Sequence, residues 1–319
     1  MQNSTAIVIV NYKTPWHLKQ CINSIFKFTQ DFCIYLVHNS QDAGSYKVGE
    51  NFKKRYPDKI KIYKNKKNLG LTGGVNTCYL DAVKHKRICL LNSDAIVTKD
   101  WLKILNDEMD NNPKISQIMP DCNSFYQDTV FWKIIKRLPF GLNRAQIYQN
   151  ILNLSPRSKS REKFKASSHF YDFCGGFCTL FNSAPIKQRE YILDPQIAHG
   201  YWDDLELSTY LRNFGEIGIT TYSYVFHFGG KSFSLLKKRM EDEKKNLAYL
   251  NGLYVCRKYE KIFLSEMNKV DPNELIIVSR KVEVVKLIVL YFGLLQNQLF
   301  TNQDVSKEAF KIWQAIKKD

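Results

Sequence analysis

Short runs of Val, Ile and Leu recur along the first part of the chain, and segments with helical periodicity separate them. Two of these runs, TAIVIVNY and CIYLVHNS, are apolar on both faces, as buried parallel strands are. The segment between them, PWHLKQCINSIFKFT, predicts a helix with an apolar stripe formed by Leu18, Cys21, Ile22 and Ile25. Strand, helix and strand form a βαβ unit with a right-handed crossover. The sequence therefore predicts an α/β fold with a mostly parallel, doubly wound sheet flanked by helices.

The alternation continues to about residue 120. A third strand, KIKIYKN, precedes the Gly-rich segment NLGLTGGVN, which predicts a turn that leads into a helix. The apolar run RICLL predicts the next strand, which ends in Asn92-Ser93-Asp94. The following segment, KDWLKILNDEMDNN, predicts another helix.

The second half of the chain is less regular. Residues from about 121 to 170 include the basic stretch SPRSKSREKFKASS and predict a flexible insertion. Beyond it, YDFCGGFCTLFN predicts a strand interrupted by two glycines, and GYWDDLELSTYLRNFG predicts a helix capped by Gly215. A last strand is predicted for IGITTYSYVFHFGG. We expect one domain over residues 1–232 and a mainly helical, basic extension over residues 233–319.

The net charge of +16 favours polyanionic partners, but it does not distinguish nucleic acid, anionic membrane and phosphorylated substrate. The eight cysteines follow no zinc or disulfide spacing, as is typical of reduced thiols in a cytosolic protein. The N-terminus lacks a signal-peptide pattern, and the longest later apolar run, Val284 to Leu295, is too short to span a bilayer. We expect a cytoplasmic protein.

Polar side chains follow the predicted strands at their carboxyl ends, where open α/β sheets bind ligands. They are Tyr12, Thr14, Asn39, Ser40, Asn92, Ser93 and Asp94. A carboxylate at a buried strand end is costly unless it is paired, hydrogen-bonded or bound to a metal. Asp94 therefore indicates a site for Mg²⁺ or Mn²⁺ that is shared with phosphate oxygens, although capping of the following turn would also explain it.

Glycines at 70, 73 and 74 would let the backbone approach a ligand closely. Their spacing does not match a dinucleotide fingerprint, and GGKS at 229–232 lacks the first glycine of a phosphate-binding P-loop. Neither segment identifies a nucleotide by itself.

Asp203 and Asp204 are adjacent at a predicted helix start, where the helix dipole tolerates negative charge. Repulsion between adjacent carboxylates makes one of them a better base than an isolated aspartate. Helix capping would explain either residue alone, but the neighbouring Tyr201 and Trp202 could also stack on the face of a sugar.

His227 lies near the end of a predicted strand that is rich in Tyr and Phe. Two interpretations fit this position. One is a core histidine that donates to a backbone carbonyl, and the other is a neutral metal ligand.

Six motifs, taken in order, resemble those of a bacterial family 2 glycosyltransferase of the rhamnosyl-, galactofuranosyl- and hexosyltransferase-like subgroup. They are IVIVNYKTPWHLKQCINSI, LVHNSQDAGS, NLGLTGGVN with LLNSDAIVTKDWL, FCGGF, GYWDDLELSTYLRNFG and VFHFGGKS. The likeness covers about residues 5–260. It implies a GT-A (Rossmann-like) domain.

The resemblance also implies roles for individual residues. Asp94 and His227 would bind a divalent metal, Mn²⁺ or Mg²⁺, that bridges the donor's two phosphates. Asp204 would be the catalytic base, and Asp203 would orient the acceptor or share that role. The donor nucleotide would contact Tyr12, Thr14, Asn39, Ser40, Asn68, Gly70, Gly74, Asn76, Asn92 and Ser93. The acceptor would contact Gly175, Gly176, Tyr201 and Trp202.

Two positions depart from the family's pattern. Asn92 occupies the first acidic position of the metal motif. His38 stands where the family usually has an acidic residue that helps to hold the base or the ribose. Nucleotide choice is therefore left open.

The implied reaction moves a sugar from a UDP- or dTDP-sugar to a hydroxyl of a glycan or lipid-linked acceptor in cell-surface polysaccharide synthesis, such as capsule or lipopolysaccharide. It would be an inverting, metal-assisted single displacement. One alternative is a sugar-phosphate nucleotidyltransferase, whose phosphate loop NYKTPWHLK does not resemble. A second is a nucleic-acid-binding protein, which the scattered basic residues do not favour.

Two stretches near the C-terminus, LLKKRMEDEKKNLAYLNGLYVCRKYEK and RKVEVVKLIVLYFGLLQNQLF, combine basic clusters with apolar faces. Such helices can lie on an anionic membrane, here the inner face of the plasma membrane. Packing on the catalytic domain or on a second copy of the chain, as a homo-oligomer, would also cover the apolar faces.

Overall fold

The computed structural model describes residues 5–122, 164–167, 173–229 and 241–267. The strands in these ranges are β1 (Thr5–Asn11), β2 (Phe32–His38), β3 (Ile60–Lys64), β4 (Arg87–Leu91), β5 (Ala95–Val97), β6 (Ile115–Cys122), β7 (Phe164–Ser167), β8 (Cys178–Asn182) and β9 (Glu216–His227). The helices are α1 (Pro15–Phe28), α2 (Ala43–Arg55), α3 (Gly70–Asn76), α4 (Tyr79–Ala82), α5 (Trp101–Asn111), α6 (Ser183–Arg189), α7 (Asp203–Leu211), α8 (Glu241–Lys258) and α9 (Glu260–Met267). A 3₁₀ turn at Arg212–Phe214 extends α7 and is capped by Gly215, as predicted.

All of these strands belong to one sheet in the order β3-β2-β1-β4-β8-β6-β9-β5, and β7 pairs with β9. The strands β3, β2, β1 and β4 are parallel, as are β6 and β9. In contrast, β8 is antiparallel to β4 and β6, and both β5 and β7 are antiparallel to β9. The predicted α/β architecture is confirmed, in the form of a mixed sheet.

The core lies on both faces of the sheet, as the strand composition predicts. Ile7 and Ile9 of β1 belong to one buried cluster, whereas Ala6 and Val8 belong to another on the opposite face. The predicted apolar stripe of α1 is fully buried in the first cluster. Because β1 and β2 pair in parallel with Asn11 opposite His38, their carboxyl ends meet at one edge.

The Gly-rich segment is not a turn, because its residues form α3. A Cβ atom added to Gly74 would lie 2.8 Å from Cγ1 of Val10, closer than real contacts allow. Glycine is a poor helix former, so tertiary packing outweighs its propensity here. At least one of these glycines therefore serves close packing of α3 on β1.

Two further predictions need correction. The strand predicted at YDFCGGFCTLFN begins only at Cys178, so its two glycines lie in the segment before β8. The predicted insertion contributes strand residues at both ends, because β6 runs to Cys122 and β7 pairs with β9. The remainder of the insertion lies outside the described residues.

The helix α8 packs on the α/β domain. Its Leu247, Leu253 and Val255 are buried. No helix in the described ranges has the length and apolar composition needed to cross a bilayer. The apolar and basic stretch at 280–300 lies outside those ranges, so the division at residue 232 and the membrane or oligomer contact stay predictions.

His38, at the end of β2, is 1% exposed, and its ring nitrogens have no hydrogen-bond partner within the described part of the chain. The ring lies against Gly49, where an added Cβ would be 2.5 Å from Nε2. Burial, together with the nearby charge of Lys64, lowers the pKa of His38 to about 4.

We predict that the free energy of unfolding falls between about pH 6.5 and pH 4, by at most about 3 kcal/mol from this residue. The unfolded chain binds a proton at His38 in that window, whereas the folded protein does not. Denaturant titrations at pH 7 and pH 4.5 measure the change. In His38→Leu this part of the pH dependence should be absent, and an unaltered profile would contradict the assignment.

Candidate active site

The pairing of β5 with β9 brings two distant segments together. Ala95 lies opposite His227 in this antiparallel pair, and the backbone N–H of Phe228 donates to the carbonyl oxygen of Asp94 at 3.0 Å. The predicted metal ligands are therefore neighbours across two strands. They lie at the carboxyl end of β4, the edge of the sheet that the strand order predicts for a ligand.

The side chains of Asp94 and His227 are in contact. Nε2 of His227 lies 3.1 Å from Oδ1 of Asp94 and 3.2 Å from Nδ2 of Asn92. The side chains of His227 and Asp94 are 15% and 8% exposed. The carboxylate faces His227, and the next helix begins only at Trp101, so Asp94 does not cap that helix directly.

A divalent cation fits this pair only in part. A carboxylate oxygen and an imidazole nitrogen are suitable ligands for Mn²⁺ or Mg²⁺. Within the described ranges, however, no group of three or more His, Cys, Asp or Glu side chains could hold a metal ion. The residues present therefore suit a cation that takes its remaining ligands from phosphate oxygens and water, as Mg²⁺ commonly does.

The second predicted pair, Asp203 and Asp204, forms the first turn of α7. Asp203 is 4% exposed, and burial followed by the charge of Asp204 raises its pKa well above the ordinary value. Burial also raises the pKa of Asp204, and the backbone N–H groups of Leu205 and Gly176 partly oppose that rise. The Leu205 N–H donates to Oδ1 of Asp204 at 2.9 Å. Raised pKa values make the pair suited to accept a proton near neutral pH.

The dipeptide Gly176-Phe177 connects the two pairs. A Cβ atom added to Gly176 would lie 3.8 Å from Cβ of Asp204, in van der Waals contact. The ring of the adjacent Phe177 stacks on His227 with centroids 5.3 Å apart. Consecutive Cα atoms are only about 3.8 Å apart, so the acidic pair and the Asp94–His227 pair lie close together. The sequence-predicted catalytic and metal residues thus gather in one place.

Asn39, predicted to contact the nucleoside, is bonded to the chain that leads into α3. Its Nδ2 donates to Oδ1 of Asn68 at 2.9 Å and to the carbonyl of Gly70 at 2.8 Å. Its Oδ1 accepts from Leu69 N at 3.0 Å and Asn65 Nδ2 at 3.1 Å. The amide therefore fixes the start of α3.

Asn76, at the other end of α3, has a comparable role. Its Oδ1 accepts from the backbone N–H groups of Ile192 and Leu193 at 2.9 and 3.0 Å. Its Nδ2 donates to the carbonyl of Leu193 at 2.7 Å. These bonds attach α3 to the segment that leads toward the acidic pair.

The remaining predicted donor residues lie at the same strand ends. Thr14 and Ser93 are buried, with their hydroxyl oxygens 3.4 Å apart. Ser40 is also buried, and Tyr12 is half-buried. On the acceptor side, half-buried positions are Gly175, Gly176, Tyr201 and Trp202. Their binding roles stay predictions.

A groove of about 850 Å³ lies elsewhere, at the amino ends of β1 and β4. Five of the charged side chains that line it form ion pairs, since Lys86 and Arg87 contact Asp110 and Lys103 contacts Asp107. None of the predicted site residues lines this groove.

Comparison with known families decides between the sequence-based alternatives. The model of "Glycosyl transferase family 2" matches residues 6–186. The chain belongs to this family. That membership confirms the expected glycosyltransferase and argues against a nucleotidyltransferase or a nucleic-acid-binding protein. No curated protein sequence matches the glycosyltransferase chain.

Solved structures share the fold at low sequence identity. Staphylococcus aureus TarS 1–349 is 12% identical with a TM-score of 0.52, and the match covers 93% of this chain and 92% of TarS 1–349. The Pyrobaculum calidifontis mannosyltransferase PcManGT, in complex with GDP-Man and Mn²⁺, is 10% identical with a TM-score of 0.52, over 99% and 86% of the two chains. GalNAc-T7 with UDP, GalNAc and Mn²⁺ is 16% identical at 0.50, over 71% of this chain and 44% of GalNAc-T7. These matches confirm the GT-A fold.

Two residues near the site were not predicted. Phe177 lies within the quoted FCGGF motif, and its aromatic character beside two glycines was the available signal. Leu71 had no signal in the sequence. Its backbone N–H donates to the carbonyl of His199 at 3.2 Å, and an added Cβ on Gly200 would lie 2.7 Å from Leu71 Cβ. The helix α3 thus supports the loop before the acidic pair.

We predict that Gly200→Ala lowers the free energy of unfolding by about 2–4 kcal/mol. Gly200 has a φ of +106°, and the new methyl group would also clash with Leu71. Gly229→Ala is the matched control, because Gly229 has a φ of +71° and open space around it. The free energy of unfolding of Gly229→Ala should be lower than that of the wild type by only about 1–2 kcal/mol. Denaturant titration measures the free energy of unfolding of both variants. Equal decreases would mean that backbone strain alone, and not the clash with Leu71, destabilises Gly200→Ala.

Proposed function

We propose that the protein transfers a sugar from a nucleoside-diphosphate sugar to an acceptor hydroxyl, with inversion at the anomeric carbon. The observation that supports this most is the contact of Gly176-Phe177 with both residue pairs. A pair suited to a cation beside a diphosphate and a pair suited to accept a proton are the two parts that such a displacement needs.

On the donor side, Asp94 and His227 would hold Mn²⁺ or Mg²⁺. When bound there, a divalent cation supplies a Lewis acid that neutralises charge on the leaving nucleoside diphosphate. TarS 1–349 has been solved with UDP-GlcNAc, and PcManGT with GDP-Man and Mn²⁺. By analogy we propose a nucleotide-sugar donor for this chain, UDP- or dTDP-linked.

On the acceptor side, Asp204 would accept the proton from the attacking hydroxyl. It is half-buried and has a raised pKa. The hydroxyl oxygen would attack the face opposite the leaving group, and general-base help of this kind contributes about 10²–10⁴-fold. Asp203 would orient the acceptor or share the proton, because the charges of two adjacent carboxyl groups are coupled.

Tyr201 and Trp202 would stack on the acceptor sugar. They precede the acidic pair directly, and Trp202 has a φ of +71°, which turns the chain into α7. We propose a glycan or lipid-linked oligosaccharide of the cell surface as the acceptor. The basic, apolar stretch at 280–300 would bring the enzyme to a membrane that carries such a lipid.

We predict that Asp204→Asn reduces kcat by at least about 100-fold, because the amide cannot accept the proton. The Kd for the donor nucleotide should stay within about twofold, since that binding depends on the other residue pair. Transfer assays and calorimetry measure the two quantities. Asp58→Asn, at an exposed turn, is the control for loss of a carboxylate. Near-normal turnover in Asp204→Asn would assign the base elsewhere.

We also predict that UDP or dTDP raises the melting temperature only when Mn²⁺ or Mg²⁺ is present. A ligand that binds only the folded protein stabilises it, and the stabilisation increases with the logarithm of ligand concentration over Kd. Asp94→Asn should remove the metal-dependent part of this shift. Thermal melts with UDP, dTDP and GDP test this, and stabilisation by DNA or RNA alone would contradict the proposed function.

A further inference from the structure

Glu206 lies two residues after Asp204 in α7 and is 0% exposed. Three side chains donate to its carboxylate. Arg189 contacts Oε2 at 2.7 Å, and Lys258 and the hydroxyl of Tyr259 contact Oε1, each at 2.7 Å. Because a buried carboxylate is costly without partners, these contacts hold α7 in place.

Asp194 is a second buried carboxylate in the same network. It is 2% exposed and accepts from the hydroxyl of Tyr254 at 2.9 Å and from Lys258. Its Oδ1 also accepts from the backbone N–H of Gln196 at 2.9 Å. Lys258 thus contacts both carboxylates, and with Arg189 it balances their two negative charges.

The helix α8, which carries Lys258, also contacts the loop before the acidic pair. Nδ2 of Asn251 donates to the carbonyl of Ala198 at 2.7 Å and to that of Tyr201 at 3.2 Å. This helix lies beyond residue 186, where the family match ends. The acidic pair and the helix that supports it thus both lie beyond the region that the family model matches.

We propose that Lys258 is a positioning residue for sugar transfer: it joins Glu206 of α7 to Asp194 and so fixes the first turn of α7, where Asp203 and Asp204 lie. The proposal rests on the proposed function for its effect on catalysis. It gives α8, a helix outside the matched family region, a role in positioning the acidic pair.

Loss of the Lys258 charge would affect catalysis by changing the position of α7. Glu206 would keep Arg189 and Tyr259, while Asp194 would keep Tyr254 but lose its cation. The two carboxylates would no longer be joined by a shared donor, and α7 could shift. Misplacement by about 1 Å can reduce turnover by about 100-fold. Asp94 directly precedes β5 and His227 ends β9, and within the described ranges neither contacts Lys258 or its two carboxylate partners, so donor binding should be unaffected.

The test compares Lys258→Met with Lys258→Arg in the full chain. The Lys258 side chain is 26% exposed, so methionine can replace its aliphatic part without a cavity. In Lys258→Met we expect kcat to fall about 10- to 100-fold, with the KM and Kd for the donor within about twofold. Arginine keeps the charge and offers several donors, so Lys258→Arg should keep kcat within about threefold of the wild type.

Hydrogen–deuterium exchange gives a readout that does not depend on activity. Backbone amides of residues 199–211 should exchange faster in Lys258→Met than in the wild type. Lys261→Met, on an exposed position of α9, is the matched control and should change neither exchange nor kcat. Tyr259→Phe removes one donor to Glu206 and should give a smaller change in the same direction. It keeps the proposal testable if Lys258→Met does not fold.

Unchanged kcat and unchanged exchange in folded Lys258→Met would overturn the proposal. Equal losses of donor affinity and kcat would also overturn it, because that pattern indicates that the substitution destabilises the whole domain and not α7 in particular. A wild-type enzyme that transfers no sugar would contradict the proposed function instead. Exchange in residues 199–211 would then still decide whether Lys258 fixes α7.

Discussion

The antiparallel pairing of β5 with β9 is the contact on which the site depends. The strand β5 has only three residues, yet it pairs with β9 at one side of the sheet and sets Ala95 opposite His227. Without this pairing, the buried carboxylate of Asp94 would lose its contact with His227, and the loss of a polar partner in a buried position is costly. The 3.1 Å contact between Asp94 and His227 therefore follows from backbone register.

Within one turn of α7, carboxylates experience two different environments. Asp203 is buried beside Asp204, and its pKa is raised. Glu206 is at least as deeply buried, but Arg189 and Lys258 neutralise it. Carboxylates on one helix can therefore take different roles, because Glu206 is held in ion pairs whereas the acidic pair, within the described part of the chain, is not. Here the cations keep the charge of Glu206 from adding fully to that of the acidic pair, whose raised pKa values leave it suited to accept a proton.

Local patterns predicted much of the fold and part of the site. The strands β1 and β4 follow from their apolar runs, the buried stripe of α1 from its periodicity, and the capped end of α7 from Gly215. In contrast, β6 was missed because polar side chains interrupt it. Gln117 is buried there, and its Nε2 donates to the hydroxyl of Thr179 at 2.9 Å. The network at Lys258 was missed for a similar reason, because its partners lie more than 50 residues away.

Asn39, which is hydrogen-bonded to the Gly-rich segment, illustrates the same limit at the donor side. An asparagine amide has two N–H donors and two acceptor lone pairs, and Asn39 uses all four within the chain. A nucleoside could hydrogen-bond to Asn39 only by displacing one of these bonds and releasing the start of α3. Because α3 also supports Gly200, such a change would reach the acidic pair. Its place at a strand end and the family resemblance predicted a ligand contact at Asn39, but neither could predict that its amide fixes the start of α3.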